Sequence, residues 1–138
     1  MTGDRVPEGV AAVLAEMRQR LDFLPPSMAK RAVFLSTYTR TTAAVGSAIE
    51  EGLFEDPAWV ERWDVVFADY YLRAHDAHLA GTSGVPRPWR LAFEAPDDLI
   101  DLRHVLLGIN AHINYDLPQA LLDVIDAADF EDPAVMAR

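Results

Sequence analysis

Leu102-Arg-His-Val-Leu-Leu-Gly-Ile-Asn-Ala-His-Ile-Asn-Tyr-Asp-Leu-Pro118 decides how the rest of this protein is read. Val105, Leu106, Leu107, Ile109 and Ile113 point in nearly every direction around a helix, and a helix that is apolar all round is normally buried on all sides. The stretch is therefore expected to be the central helix of a bundle. Asn110, His112, Asn114 and Asp116 crowd its end, and buried polar groups are costly unless each finds a hydrogen-bond partner, an ion or a ligand. That turn is either a structural network or a functional site.

Working outward, Val10, Val13, Leu14, Met17, Leu21 and Leu24 repeat with helical spacing behind Pro7, and Pro25-Pro26 stops the run. Ser27 is expected to cap a second helix reaching about Gly52, with Thr37, Thr39, Thr41 and Thr42 weakening its propensity and Gly46 a candidate bend. Asp56-Pro57 has the form of an N-cap followed by a first-turn proline, and a third helix runs from there through Leu79 until Gly81 ends it. Thr82 to Pro96 holds Gly84, Pro86, Pro88 and Pro96, and reads as an ordered loop pinned by Trp89 and Phe93. Asp97 is the expected cap of the central helix, Leu117-Pro118 its break, and Pro118 to Ala128 a fifth helix. Phe54-Glu-Asp-Pro-Ala58 recurs unchanged as Phe130-Glu-Asp-Pro-Ala134, so Pro133 is expected to open one more helix, barely begun before Arg138. Strand patterns are scarce. The fold expected is all-α: a single-domain bundle of five or six helices over residues 1–138, with a Pro-rich ordered loop before the central buried helix.

With 138 residues, 51% of them hydrophobic, the protein has the size of one domain with one core. Its formal charge is −10, and after Arg90 ten acids stand against Arg103 and Arg138. Nucleic acid and anionic membrane surfaces both require a basic footprint and are expected non-partners. With no cysteine there is no disulfide framework and no thiol nucleophile. The start, Met1 to Pro7, lacks the basic-then-apolar pattern of a signal segment. The longest uncharged run, from His104 to Tyr115, is too short to span a bilayer, so a cytoplasmic location is expected.

Asp64-Val-Val-Phe-Ala68, Tyr71-Leu-Arg-Ala74, Val85-Pro-Arg-Pro-Trp89 and above all Leu107-Gly-Ile-Asn-Ala-His-Ile-Asn-Tyr-Asp-Leu-Pro118 together resemble an actinobacterial family known only as a domain of unknown function, DUF5995. The likeness covers roughly Phe54 to Leu122, with weaker similarity before it, and departs at Tyr115, where a more polar residue is expected. It implies a helical protein without an established reaction and gives weight to the polar turn. By the same resemblance, the sequence is expected to be shorter than its relatives at the C-terminal end.

His112 and Asp116 stand four apart, so on a persisting helix they share a face and can converge on one metal ion. The same His-x-x-x-Asp spacing occurs in the zinc-dependent phospholipases C, whose helical fold is a distant likeness, although this protein has four histidines and no second such pair. His104 lies eight residues earlier, about 12 Å along the axis, and cannot share that ion. Further ligands must come from the third helix, where His75 and His78 sit one turn apart among Asp64, Asp69 and Asp76. A divalent metal such as zinc held by His112, Asp116, His75 and His78 would lower the pKa of a bound water. Each residue also has a plainer use. His112 suits a core imidazole, Asp116 a cap on the next helix, His75 and His78 a solvated helix end, and Asp69 an ion pair with Arg73. Trp59, Trp63, Phe67 and Tyr70 suit a core stripe, and Arg87 and Arg90 loop anchors. Phosphate loops, nucleophile elbows and His-Glu-x-x-His are missing from the sequence.

The leading expectation is a small enzyme-like helical protein performing metal-assisted hydrolysis between the third and central helices. His112, Asp116, Asp69 and Tyr70 would be catalytic, and Asn110, Asn114, Tyr71, Trp89 and Arg90 would hold a small-molecule substrate or ligand. Two alternatives stand beside it. One is a metal-free ligand-binding or acid/base tailoring enzyme of secondary metabolism. The other is a non-catalytic interaction module in which the polar turn is a buried network and an exposed apolar face docks a partner. Assembly into a homo-oligomer is left open. A concave pocket beside His112 favours the first two, and an enclosed His112 the third.

Overall fold

The computed structural model describes residues 7–125, and these fold as an all-α bundle. Helix α1 spans Glu8–Asp22, a 3-10 turn Pro26–Met28 leads into α2 at Ala29–Glu50, and α3 spans Pro57–Leu79. A short α4 follows at Arg87–Phe93, then α5 at Asp101–Ala111, a π-turn at His112–Asp116 and α6 at Leu117–Val124. The helix expected to open at Pro133, with the second Phe-Glu-Asp-Pro-Ala copy, lies outside the described residues. Among the described residues no helix is long and apolar enough to cross a membrane.

The local chemistry behind α1 and α3 is plain. Asp56 Oδ1 accepts the Trp59 amide at 3.2 Å with Pro57 in the first turn, and Gly81, at φ +70°, supplies the left-handed residue that closes α3. Helix α1 buries Val10, Val13, Leu14 and Met17, and its Gly9 amide donates to Glu61 Oε2 of α3 at 3.0 Å, which satisfies one orphan donor of the first turn. In α2 the threonines turn their hydroxyls inward: Thr37, Thr39 and Thr41 donate to the carbonyls four residues back, at 3.0, 2.7 and 3.0 Å. The helix runs unbroken through Gly46.

Several expectations are corrected. Ser27 caps nothing; it sits inside the 3-10 turn, with Pro25 before it in extended geometry. The Pro-rich stretch is no mere loop but holds α4, because Pro88 falls in the first turn, where a missing N–H and a fixed φ do no harm. Asp97 does not cap α5, which begins at Asp101 behind an extended Ile100. Leu117-Pro118 does not break the helix either. The Leu117 amide reaches back to the His112 carbonyl, five residues away, and the widened turn admits a proline that brings no donor of its own. The backbone stays helical from Asp101 to Val124 and then goes extended at Ile125, short of Ala128.

The largest correction concerns α5. It is not buried all round: Leu102, Leu106, Ile109 and Ile113 are 60%, 53%, 43% and 45% exposed, while His104, Gly108, Ala111, His112 and Asp116 face the interior. Shape and hydrogen bonding chose this face. A Cβ at Gly108 would lie 2.3 Å from Cδ2 of Phe34, so the helix lies flat on that α2 ring only where it has no side chain. His104, Gly108, His112 and Asp116 follow at four-residue intervals, so the contact at Gly108 carries the polar groups inward with it. The core they meet is aromatic, with Phe34, Tyr38, Tyr71 and Trp89 packed ring against ring and flanked by Met17, Leu35 and Leu72.

Candidate functional site

The π-turn places two side chains that an α-helical turn would space differently. His112 Nδ1 and Asp116 Oδ2 lie 2.8 Å apart, and the same Oδ2 accepts the indole N–H of Trp89 at 2.8 Å. On its other edge His112 Nε2 is 2.7 Å from the Tyr38 hydroxyl. The imidazole stacks on Phe67, with centroids 3.7 Å apart and planes within 4°. Tyr38, His112, Asp116 and Trp89 are all buried, and they tie α2, α4 and the π-turn into one line of hydrogen bonds. Asp116 Oδ1 has no partner among the described residues.

Burial pushes the His112 pKa down, with Asp116 only partly opposing, and burial holds the Tyr38 phenol well above its ordinary value. The imidazole is thus neutral: Nδ1–H donates to the Asp116 carboxylate and Nε2 accepts from the Tyr38 O–H. Hydroxyl, imidazole and carboxylate follow one another in the order of a hydrolytic triad. Here, however, the hydroxyl is that of a buried phenol, and Phe67, Tyr71 and Trp89 crowd around the imidazole. Beside this line Asp64 is buried, its Oδ2 unpartnered among the described residues, and burial raises its carboxyl to about 6.

The remaining expected residues scatter. Asp69 is exposed and paired with Arg73 at 2.8 Å. Tyr70 donates to Asp123 of α6 at 2.5 Å, so neither forms a wall opposite His112; Tyr71 does. Asn110 and Asn114 are exposed and bonded to each other at 2.7 Å, and Arg90 is exposed as well. Asp116 does not cap α6. His75 is wholly buried rather than at a solvated end, with its Nδ1 3.5 Å from the Tyr71 hydroxyl, while His78 meets Arg31 through its own Nδ1. The expected metal quartet does not fit: both ring nitrogens of His112 are engaged, and among the described residues no three His, Asp or Glu side chains gather as a metal would need.

Tyr38 and Arg31 are the residues that sequence reasoning missed. Tyr38 stands 74 positions from His112, beyond the reach of any spacing rule, and its one signal is an i, i+4 run with Phe34 and Thr42. A cleft lined by Lys30, Arg31, Phe34, Tyr71, Trp89 and His104, among others, shares three aromatic walls with the buried line without reaching His112. An all-α bundle organised around a buried Tyr-His-Asp-Trp line is therefore the class of molecule in hand. The protein belongs to a family of unknown function, DUF5995, whose model matches residues 10–138. No curated protein and no solved structure matches it.

Proposed function

We propose that this protein is a non-catalytic interaction module that receives a basic amphipathic helix along the outer face of α5. The observation that carries the reading is the inverted helix: the polar side chains are enclosed while Leu102, Leu106, Ile109 and Ile113 stand in solvent. Their 4-3-4 spacing is that of a coiled-coil seam, which an incoming helix fills with its own a and d residues. Asp97 and Asp98 are exposed at the N-terminal end of this seam, beside an Asp101 paired with Lys30 at 2.8 Å, and Arg103 is the one arginine or lysine on α5. A second copy of a protein with net charge −10 brings repulsion, whereas a lysine-rich helix brings complementarity. The buried line of Tyr38, His112, Asp116 and Trp89 supports the same reading, since it fixes the helix from behind and leaves its outer face rigid. Hydrolysis through a phospholipase-like metal needs a free nitrogen on His112, and the geometry favours the module over it.

The test is fluorescence anisotropy with a labelled synthetic helix carrying leucine at a and d and lysine at the flanking positions. The expected result is saturable binding that weakens as salt rises and is lost in the double variant Leu106→Asp, Ile109→Asp, whose circular dichroism matches the wild type. Binding that survives the double substitution overturns the proposal. So does a wild-type dimer in sedimentation equilibrium that the same substitutions dissolve, since the occupant would then be a second copy.

A further inference from the structure

We infer that the cleft between α2, α4 and α5 is a binding site for a small carboxylate with an apolar, flat body. Arg31 is its centre. The residue is only 9% exposed, yet its guanidinium forms no ion pair with any described carboxylate. Nη2 meets Nδ1 of His78, Nη1 is 3.5 Å from the His75 carbonyl, and Nε has no partner among the described residues. The plane lies 4.1 Å over the Phe93 ring. A guanidinium stays charged at any physiological pH, so within the described residues this is a buried cation without a counter-ion, in a molecule rich in acids. The nearest compensation is indirect: Glu94 Oε1 sits 3.6 Å from His78 Nε2, on the far side of that imidazole.

A second unpartnered group points to the same ligand. His104 of α5 is 6% exposed, lines the cleft, and has no partner for its Nε2 among the described residues. Lys30, which also lines the cleft, is held by Asp101 at 2.8 Å. The walls are Phe34, Trp89 and Phe93, with Ala92 and Gly108 beside them. The cleft measures about 260 Å³ including the part open to solvent, and a water-sized group can be centred in about 20 Å³ of it. Trp89 stacks on Phe93 with centroids 5.3 Å apart and meets Phe34 at 5.6 Å, so the space takes a carboxylate head while the flat body lies across the open mouth of the cleft. The unpartnered Arg31 Nε–H offers a donor to one carboxylate oxygen, and the unpartnered His104 Nε2 lines the same cleft. The inference does not depend on the outer face of α5.

The test uses benzoate, with benzamide as its neutral counterpart, acetate as the acid without a body, and inorganic phosphate. Calorimetry and the Arg31 Nε–H resonance in nitrogen-15 spectra of the wild-type protein are read together. Benzoate is expected to bind at least tenfold more tightly than acetate or phosphate, to shift the Arg31 Nε–H signal, and to lose at least tenfold in affinity in Arg31→Met or His104→Phe. If Arg31→Met does not fold, His104→Phe and the wild-type resonance decide. Equal binding of benzoate and benzamide, binding that leaves the Arg31 resonance in place, preference for phosphate, or no benzoate binding overturns the assignment.

Discussion

Gly108 shows how much a single missing methyl group decides. Alanine is the better helix former by about 1 kcal/mol, so a reading by propensity alone predicts that Gly108→Ala stabilises α5. The Phe34 ring 2.3 Å from the added Cβ says otherwise, because that ring is itself wedged against Tyr38, Tyr71 and Trp89 and has nowhere to turn. Gly108→Ala is expected to destabilise the protein by roughly 1–3 kcal/mol in urea titration, and Phe34→Leu in the same variant should recover part of the loss. Tyr38→Phe is a second test. It leaves a buried imidazole nitrogen without its donor and should cost about 1–3 kcal/mol, with no change in helix content by circular dichroism.

At the scale of the element, the two strongly periodic helices were legible because period and caps agree: Val10 to Met17 in α1, and Asp56-Pro57 through Gly81 in α3. Helix α4 was not, since seven residues containing Pro88 and preceded by Pro86 carry too little periodicity to set against their turn chemistry. His112 and Asp116 were legible as a pair because they are one turn apart; their partners Tyr38 and Trp89 come from other helices and were not. The orientation of α5 was beyond hydropathy altogether, because with apolar groups on every side only the fit at Gly108 and the hydrogen bonds of His112 and Asp116 select a face. That orientation is directly testable. Substituting Leu106→Gln and Ile109→Gln should change stability by no more than about 0.5 kcal/mol each, as for exposed positions. Losses of about 2–5 kcal/mol, the range for large-to-small changes in a core, would restore the buried helix that the sequence suggests.

Across the whole molecule, buried titratable groups pull stability in opposite directions with pH. Asp64 has a folded pKa of about 6 against an ordinary 3.8, so its contribution is fully present below about pH 3.8 and lost as pH rises through 6. His75, lowered by burial from 6.5 to about 4, and His112, lowered as well, run the other way: the fold prefers them neutral, and that preference is lost as pH falls from 6.5. Between pH 4 and 6 the two trends offset each other and flatten the profile. Asp64→Asn removes one of them. The variant is expected to exceed the wild type at pH 7 by up to about 3 kcal/mol, to converge with it near pH 4, and so to fall more steeply on acidification in a series of denaturant titrations. A parallel profile for the two proteins would mean that Asp64 is ionised in the fold at no cost.

The widened turn at His112–Asp116 also sets the phase between the two halves of one long helix. Helix α5 leans on α2 and α4, whereas α6 is fastened to α3 through Tyr70–Asp123 and by Arg62 donating to the Val124 carbonyl at 3.2 Å. One residue more or less rotates everything downstream by about 100° about the helix axis. Deleting a single residue between His112 and Asp116 would therefore pull Asp116 from its place beside His112 and Trp89 as well as change how α6 meets α3, so the count of residues here acts as a mechanical key matching one half of the molecule to the other.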